Sequence, residues 1–242
     1  VWSWHFGQGL VDSPRDFGLR CEAPANPALL DYLAATFMED GWSIKKVHRL
    51  ILLSSVYRQS SAGSPRLLAA DADNRLLGRM NRRRLDFEAL RDSLLAVELT
   101  TAPFTRRRSV YGFIDRQNLP GLFRTFDFAS PDASTPQRYA TTVPQQALFL
   151  MNSPFVLEQA RSFVTRLDVA GQPADQARID RLHWLAYGRA AEPDEVALGL
   201  RFLAEARADE KAGARAWGVK PLTAWEQYAQ VLLLNNEFAF VD

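Results

Sequence analysis

The sequence predicts a mainly α protein, a multi-helical single domain with at most one or two short strands. Three observations predict it. Apolar residues recur at three- and four-residue steps through most of the chain. Helix starts are written as a small polar residue with a nearby proline, at Asn26-Pro27, at Thr142 with Pro144 and at Ser153-Pro154. Strand signals are few: 108–116 (RSVYGFIDR) is the best candidate, alternating aromatic and β-branched residues, and Phe238 and Phe240 alternate like a docking strand.

In chain order, 1–11 (VWSWHFGQGLV) reads as the last turns of a helix ending at Gly7 and Gly9. The helix opened by Asn26-Pro27 carries Leu29, Leu30, Leu33 and Phe37 and stops at Gly41. Trp42 and Ser43 open the next, with Ile44, Val47, Ile51 and with Leu50, Leu53, Tyr57 at helical steps, until Gly63-Ser64-Pro65 breaks the pattern. A short helical piece is expected at 73–80, and Asp86 caps a helix bearing Leu90, Leu94, Leu95 and Val97. After the strand candidate, 119–128 stays ambiguous and 129–136 reads as a loop. Two helices start at Thr142 and Ser153, and three more lie near 174–187, 193–208 and 223–234. Gly188 follows the first of these, and Leu182, Leu185, Ala186 and then Val196, Leu200, Leu203 give buried stripes.

The chain has 242 residues, 47% hydrophobic and 24% charged, ordinary for a globular protein with a sizeable core. It is expected to be one helical domain over 1–242, truncated at its N-terminus and cut from a larger multidomain protein, since it opens on Val1 within a helical stretch. Apolar runs such as 231–234 are far shorter than the roughly 20 residues of a membrane span. The net charge is +1, but 43–116 holds fifteen basic residues against seven acidic, and 192–242 holds nine acidic against five basic. Arg outnumbers Lys 25 to four, which suits bidentate pairing with carboxylates. An internal Arg–carboxylate lattice is therefore expected, and no nucleic-acid partner. Cys21 is the only cysteine, so the chain has no internal disulfide, no thiolate metal cage and no haem-c attachment motif of its own.

Several motifs fail on inspection. Asp16-Phe17-Gly18 and His48-Arg49-Leu50 contain fragments of kinase signatures, but in reversed order and without a glycine-rich loop. His5, His48 and His183 are far apart in sequence and none has a second metal ligand at helical spacing, so no metal site is expected. His48 and His183 read as packed, hydrogen-bonded histidines. His5 stands among Trp2, Trp4 and Phe6 beside a glycine-rich turn, and is a weak catalytic candidate together with Asp16 and Asp127.

Four constellations carry chemistry or its bland equivalent. Residues 2–18 combine aromatics and glycines with Asp12 and Asp16, as a pocket wall or as a helix end pinned by Asp side chains; the second reading is preferred. The arginines of 81–92 and 106–116, Arg84 and Arg116 among them, offer an anionic-ligand cleft or structural ion pairs, the latter preferred. Thr141, Thr142, Gln145 and Gln146 gather at a helix N-terminus, an anion or carbonyl site or an elaborate cap. Residues 234–242, where Asn235, Asn236 and Glu237 end the last helix, read as structural.

The same blocks carry a family likeness. WSWHFGQGLVDSPRDFG (2–18), PALLDYLA (27–34), GWSIKKVHRLILLSSVYRQS (41–60) and DADNRLLGRMNRRRLDFEALRD (71–92) form its first half. RRSVY (107–111), Phe126-Asp127, TTVPQQALFLMN (141–152) and NNEFAFVD (235–242) complete it. The chain resembles the C-terminal domain of unknown function, family 1553, of large planctomycete proteins. That resemblance implies an exported, extracytoplasmic (periplasmic or cell-surface) setting and a cytochrome-c-like domain upstream in the same polypeptide. Haem c is expected on that separate domain only, with no cofactor in this segment. The family has no agreed catalytic residues, so whether the chain is an enzyme stays open.

Three functions follow as expectations. The first is an accessory module of a cytochrome-c-associated multidomain protein, supporting redox processing of an extracellular, anionic or complex carbohydrate, with an apolar or charged docking face near 2–6. The second is a polysaccharide hydrolase or lyase, which needs two carboxylates roughly 5–10 Å apart, from Asp12, Asp16, Asp127 and Asp132. The third is a non-catalytic sugar-binding or structural module built on Trp2, Trp4 and Tyr111.

Overall fold

In the computed structural model the described residues are 1–11, 13, 21–96, 108–112, 114, 115, 117, 119, 121–135, 138, 140–212 and 221–241. The chain divides into two compact units, Val1–Arg84 with Val241–Asp242 and Leu85–Phe240. Both are helical, as the apolar periodicity requires.

The first unit contains α1 (Trp2–Phe6), α2 (Pro27–Glu39), α3 (Ile44–Leu53), α4 (Pro65–Ala70) and β1 (Arg83–Arg84). Asn26 caps α2 by accepting from the Leu29 amide, with Pro27 at the first helical position. Ser43 caps α3 through the Lys46 amide. Its buried core is small, Phe6, Ile51 and Met80, with Trp2, Val47, Val56 and Tyr57 packed on it. α2 buries no residue completely, although apolar residues dominate it.

The second unit runs through α5 (Phe87–Ala96), α6 (Gly121–Thr125), α7 (Pro144–Asn152), α8 (Pro154–Thr165), α9 (Leu167–Ala170), α10 (Asp175–Tyr187), α11 (Pro193–Ala212), α12 (Ala224–Leu234) and α13 (Asn236–Ala239). The last strand, β2 (Phe240–Val241), pairs with β1 in a two-stranded sheet. α12 packs most extensively on α8 and also touches α7, α10, α11 and α13. The reason is visible in the spacing: Val156, Ala160 and Phe163 on α8, and Ala229, Leu232 and Leu233 on α12, are all buried at helical steps. Ile179 and Leu182 of α10, Leu203 of α11 and Leu90 and Leu94 of α5 complete the core. Each such aliphatic side chain contributes about 1.5–3 kcal/mol by leaving water. α11 comes close to α12 at Gly199, where a Cβ would stand 2.9 Å from the Tyr228 hydroxyl.

Four expectations are corrected. Within the strand candidate at 108–116 the described residues Ser109–Tyr111 form a 3₁₀ turn, while Phe113 and Arg116 lie outside the described residues. The Asp92 carboxylate accepts from the Ser109 amide at 2.6 Å and the Arg108 guanidinium at 2.9 Å, which curls the backbone before a ladder can form. The helix expected at 73–80 is a run of turns, because Asp71 accepts from the Arg75 and Leu76 amides and Asn74 takes a left-handed conformation. Ser64-Pro65, read as a break, instead starts α4, with Ser64 accepting from the Leu67 amide. Val143, not Thr142, caps α7; Gln146 reaches back to the Val143 amide in place of a hydroxyl. Smaller differences follow the same logic. Leu200 is 39% exposed rather than buried, and Asn235 ends α12 only to cap α13 through the Glu237 amide.

Candidate functional site

In the first unit, the 74–84 segment cradles α1. Asn74, buried, donates to the Arg79 carbonyl and to Asn81, and Asn81 donates to the Phe6 carbonyl at 3.0 Å. Arg83 donates to the Trp4 carbonyl at 2.5 Å. Gly7 closes α1 with φ +80°, and a Cβ there would meet Arg83 Cδ at 2.8 Å, so the arginine stem lies directly on the turn. Beside α1 is a pocket of about 40 Å³ lined by Trp2, Phe6, Gln8, Asn26, Arg75 and Asn81 among others, room for roughly two or three waters. Arg75 and Glu22, both on its wall, stand 3.7 Å apart.

His5 Nε2 lies 2.7 Å from His48 Nδ1, and the two rings meet edge to face. Tyr57 sets its ring perpendicular to His5, with centroids 5.6 Å apart. One nitrogen of the pair must donate and the other accept, so together they share a single proton at that contact. Partial burial, the neighbouring His48 and the Arg83 guanidinium hold the His5 pKa below the ordinary imidazole value. Among the described residues no group of three His, Cys, Asp or Glu side chains converges as a metal site. Sequence spacing gave no hint of this pairing, because the two rings are 43 residues apart and meet only through the packing of α1 on α3.

The other predicted residues divide between the units. Arg84, in β1, belongs to the first; Asp127, Thr141 and Gln145 belong to the second. Asp16, Asp12 and Arg116 lie outside the described residues. Asp127 holds a left-handed backbone (φ +58°), and its carboxylate accepts from both the amide and the hydroxyl of Thr141 at 2.7–2.9 Å. That is a loop staple, and it occupies both oxygens. Gln145 is exposed, whereas its neighbour Gln146 is buried and donates to the Thr125 carbonyl at 2.8 Å.

Several arginines are tied into ion pairs within the second unit. Arg138 chelates Glu88 and lies over the Phe128 ring; Arg207 chelates Asp175. Arg166 and Arg181 share Asp168, whose carboxyl is held at about 2 by their hydrogen bonds. Arg189 chelates both Glu195 and Glu237, holding Glu195 near 2.

His183 sits behind this clamp. It is buried, its Nε2 is 3.1 Å from the Tyr228 hydroxyl, and its Nδ1 is 3.6 Å from Glu195 without a hydrogen bond. The order acid, imidazole, hydroxyl superficially matches a nucleophile relay. Tyr228 is only 5% exposed, with its hydroxyl against Gly199, and burial pushes its pKa up to about 12. No substrate reaches it, and the trio acts as a polar knot joining α10, α11 and α12.

The family model described as "PSD1: Protein of unknown function (DUF1553)" matches residues 1–203. The chain belongs to this family. The match spans the α1 cradle, the His5–His48 contact and the second unit as far as Leu203 in α11. No curated protein and no solved structure matches the chain.

Proposed function

We propose that this PSD1-family chain is an extracytoplasmic module of a cytochrome-c-associated multidomain protein, one that docks on neighbouring domains of its own polypeptide and supports redox processing of an extracellular carbohydrate. The haem belongs to a separate domain, and this chain supplies a surface. One observation supports the reading above others: the first unit leaves large apolar side chains in water. Trp4 is 68% exposed and Trp42 67%, with Tyr32, Ile44 and Leu53 each more than half exposed. Scattered apolar exposure is ordinary, but three tyrosine or tryptophan side chains at this exposure in one small unit are the composition of an interface. α2, apolar yet without one fully buried residue, belongs to the same unit.

The test is direct binding. The cytochrome-c-like domain encoded with this chain, produced separately and haem-loaded, is titrated against the chain by calorimetry. Binding that weakens about tenfold or more in Trp4→Ser and Trp42→Ser, the loss of an aromatic anchor, supports the reading. Absence of binding at high micromolar concentration rejects it.

The sugar-binding reading keeps one supporting observation, the exposure of Tyr111 (65%) in the second unit and, separately, of Trp4 in the first. Trp2 does not join them, because it stacks on Phe6 at 4.2 Å. For the hydrolase reading, Asp127 accepts from Thr141, Asp132 is exposed, and Asp12 and Asp16 lie outside the described residues.

A further inference from the structure

We propose that His5 and His48 form an acid-released latch that fastens α1 to α3. The latch is independent of the docking reading, since it is a property of the chain alone.

α1 has five residues and buries only Phe6 completely. Among the described residues its tertiary ties include the Phe6 side chain against Ile51 and Met80, the Asn81 bond to the Phe6 carbonyl, the Arg83 bond to the Trp4 carbonyl, and the imidazole pair. Imidazole is the side-chain group whose protonation changes charge in the physiological pH range.

The contact tolerates one proton more than its neutral form. With one ring charged, an N–H⁺ still donates to a bare nitrogen. With both charged, two N–H groups face each other across 2.7 Å and the rings must part. Among the described residues the surroundings offer no relief. Besides burial, the groups there that act on His5 are His48 on α3 and the Arg83 guanidinium on β1. Lys45, Lys46 and Arg49 share α3 with His48, and the acid in contact with that group, Asp40, is bound to Lys46. Among the described residues no ion pair joins either ring to a carboxylate. The neighbouring Tyr57 contributes only a ring edge. The same positive surroundings, with no third ligand among the described residues, disfavour a metal cation here. Acid therefore frees α1 and uncovers Phe6, Ile51 and Met80.

Hydrogen exchange of the whole chain measures this. After correction for the intrinsic rate, exchange in the peptide covering 1–10 is followed between about pH 7.5 and pH 5, the imidazole range. We expect it to rise below pH 6.5 by up to about tenfold per pH unit, the linkage slope of one proton taken up on opening, while peptides of α12 stay unchanged. His48→Gln, which keeps a neutral hydrogen-bonding group, should abolish the rise. If His48→Gln disturbs α2 and α3, His5→Gln serves instead, and ¹⁵N imidazole titration of the unaltered chain supplies a second reading. An unchanged 1–10 peptide at pH 5, an equal rise in the glutamine variant, or two independent ordinary titration curves overturns the latch.

Discussion

At Gly7 two demands meet in one residue: a left-handed turn (φ +80°) and a side chain pressed on it, with Arg83 Cδ 2.8 Å from where a Cβ would be. Gly7→Ala should therefore cost the first unit at least about 1 kcal/mol, read as a lowered denaturant midpoint of the α1–α3 amides. His183 makes a second residue-scale prediction. Burial lowers its folded-state pKa below the ordinary 6.5, so the unfolded chain takes up its proton first. Its contribution to stability is fully present above pH 6.5 and declines as pH falls below that value. Glu195 and Asp168, both held near 2, do not titrate in the window just below 6.5. His183→Gln should flatten the loss of second-unit stability between about pH 7 and pH 5.5, the imidazole range; an unchanged slope would assign the loss to other groups.

At the scale of elements, Arg189 is the joint of the second unit. It lies just after α10, and its guanidinium holds Glu195 in the first turn of α11 and Glu237 in α13. Arg189→Ala leaves two carboxylates facing one another; the group is about one-third exposed, so a loss of only about 1 kcal/mol is expected in denaturant unfolding. Thr223, whose hydroxyl and Glu226 carboxylate satisfy each other's backbone amides at the start of α12, should cost a similar ~1 kcal/mol when changed to Ala. Starts of this kind were legible from residue order: Asn26-Pro27, Ser43 and Thr223 all cap where their types imply. The errors arose where a polar side chain outside the apolar pattern redirected the backbone. Asp92, 17 residues away, holds Ser109 at the 3₁₀ turn, and the nearby Asp71 and Asn74 replace a helix with successive turns. Local periodicity carries no information about such partners. His5 and His48 illustrate the same limit at the candidate site, because only the packing of α1 on α3 brings them together.

At the scale of the whole molecule, the two units differ in core. Among the described residues, three buried apolar side chains form the first cluster, Phe6, Ile51 and Met80, whereas the second extends from Phe87 through Ala239. Buried apolar area is the dominant favourable term in folding, so the first unit should open at lower free energy in native-state hydrogen exchange. Phe163→Ala, at a fully buried site on α8, should remove about 3–5 kcal/mol from the second unit. A unit with a small core and exposed Trp4 and Trp42 is the form expected of a surface completed by a neighbour. The proposed function puts a haem domain in that position. Hydroxyl-radical footprinting of this chain by itself and of a polypeptide that joins it to the proposed haem domain compares the two states most directly. The proposal predicts strong oxidation of Trp4 and Trp42 in the chain by itself and clear protection of both in the joined polypeptide, with Trp184 of the second unit labelled alike in each. Equal labelling of Trp4 and Trp42 in the two forms would contradict it.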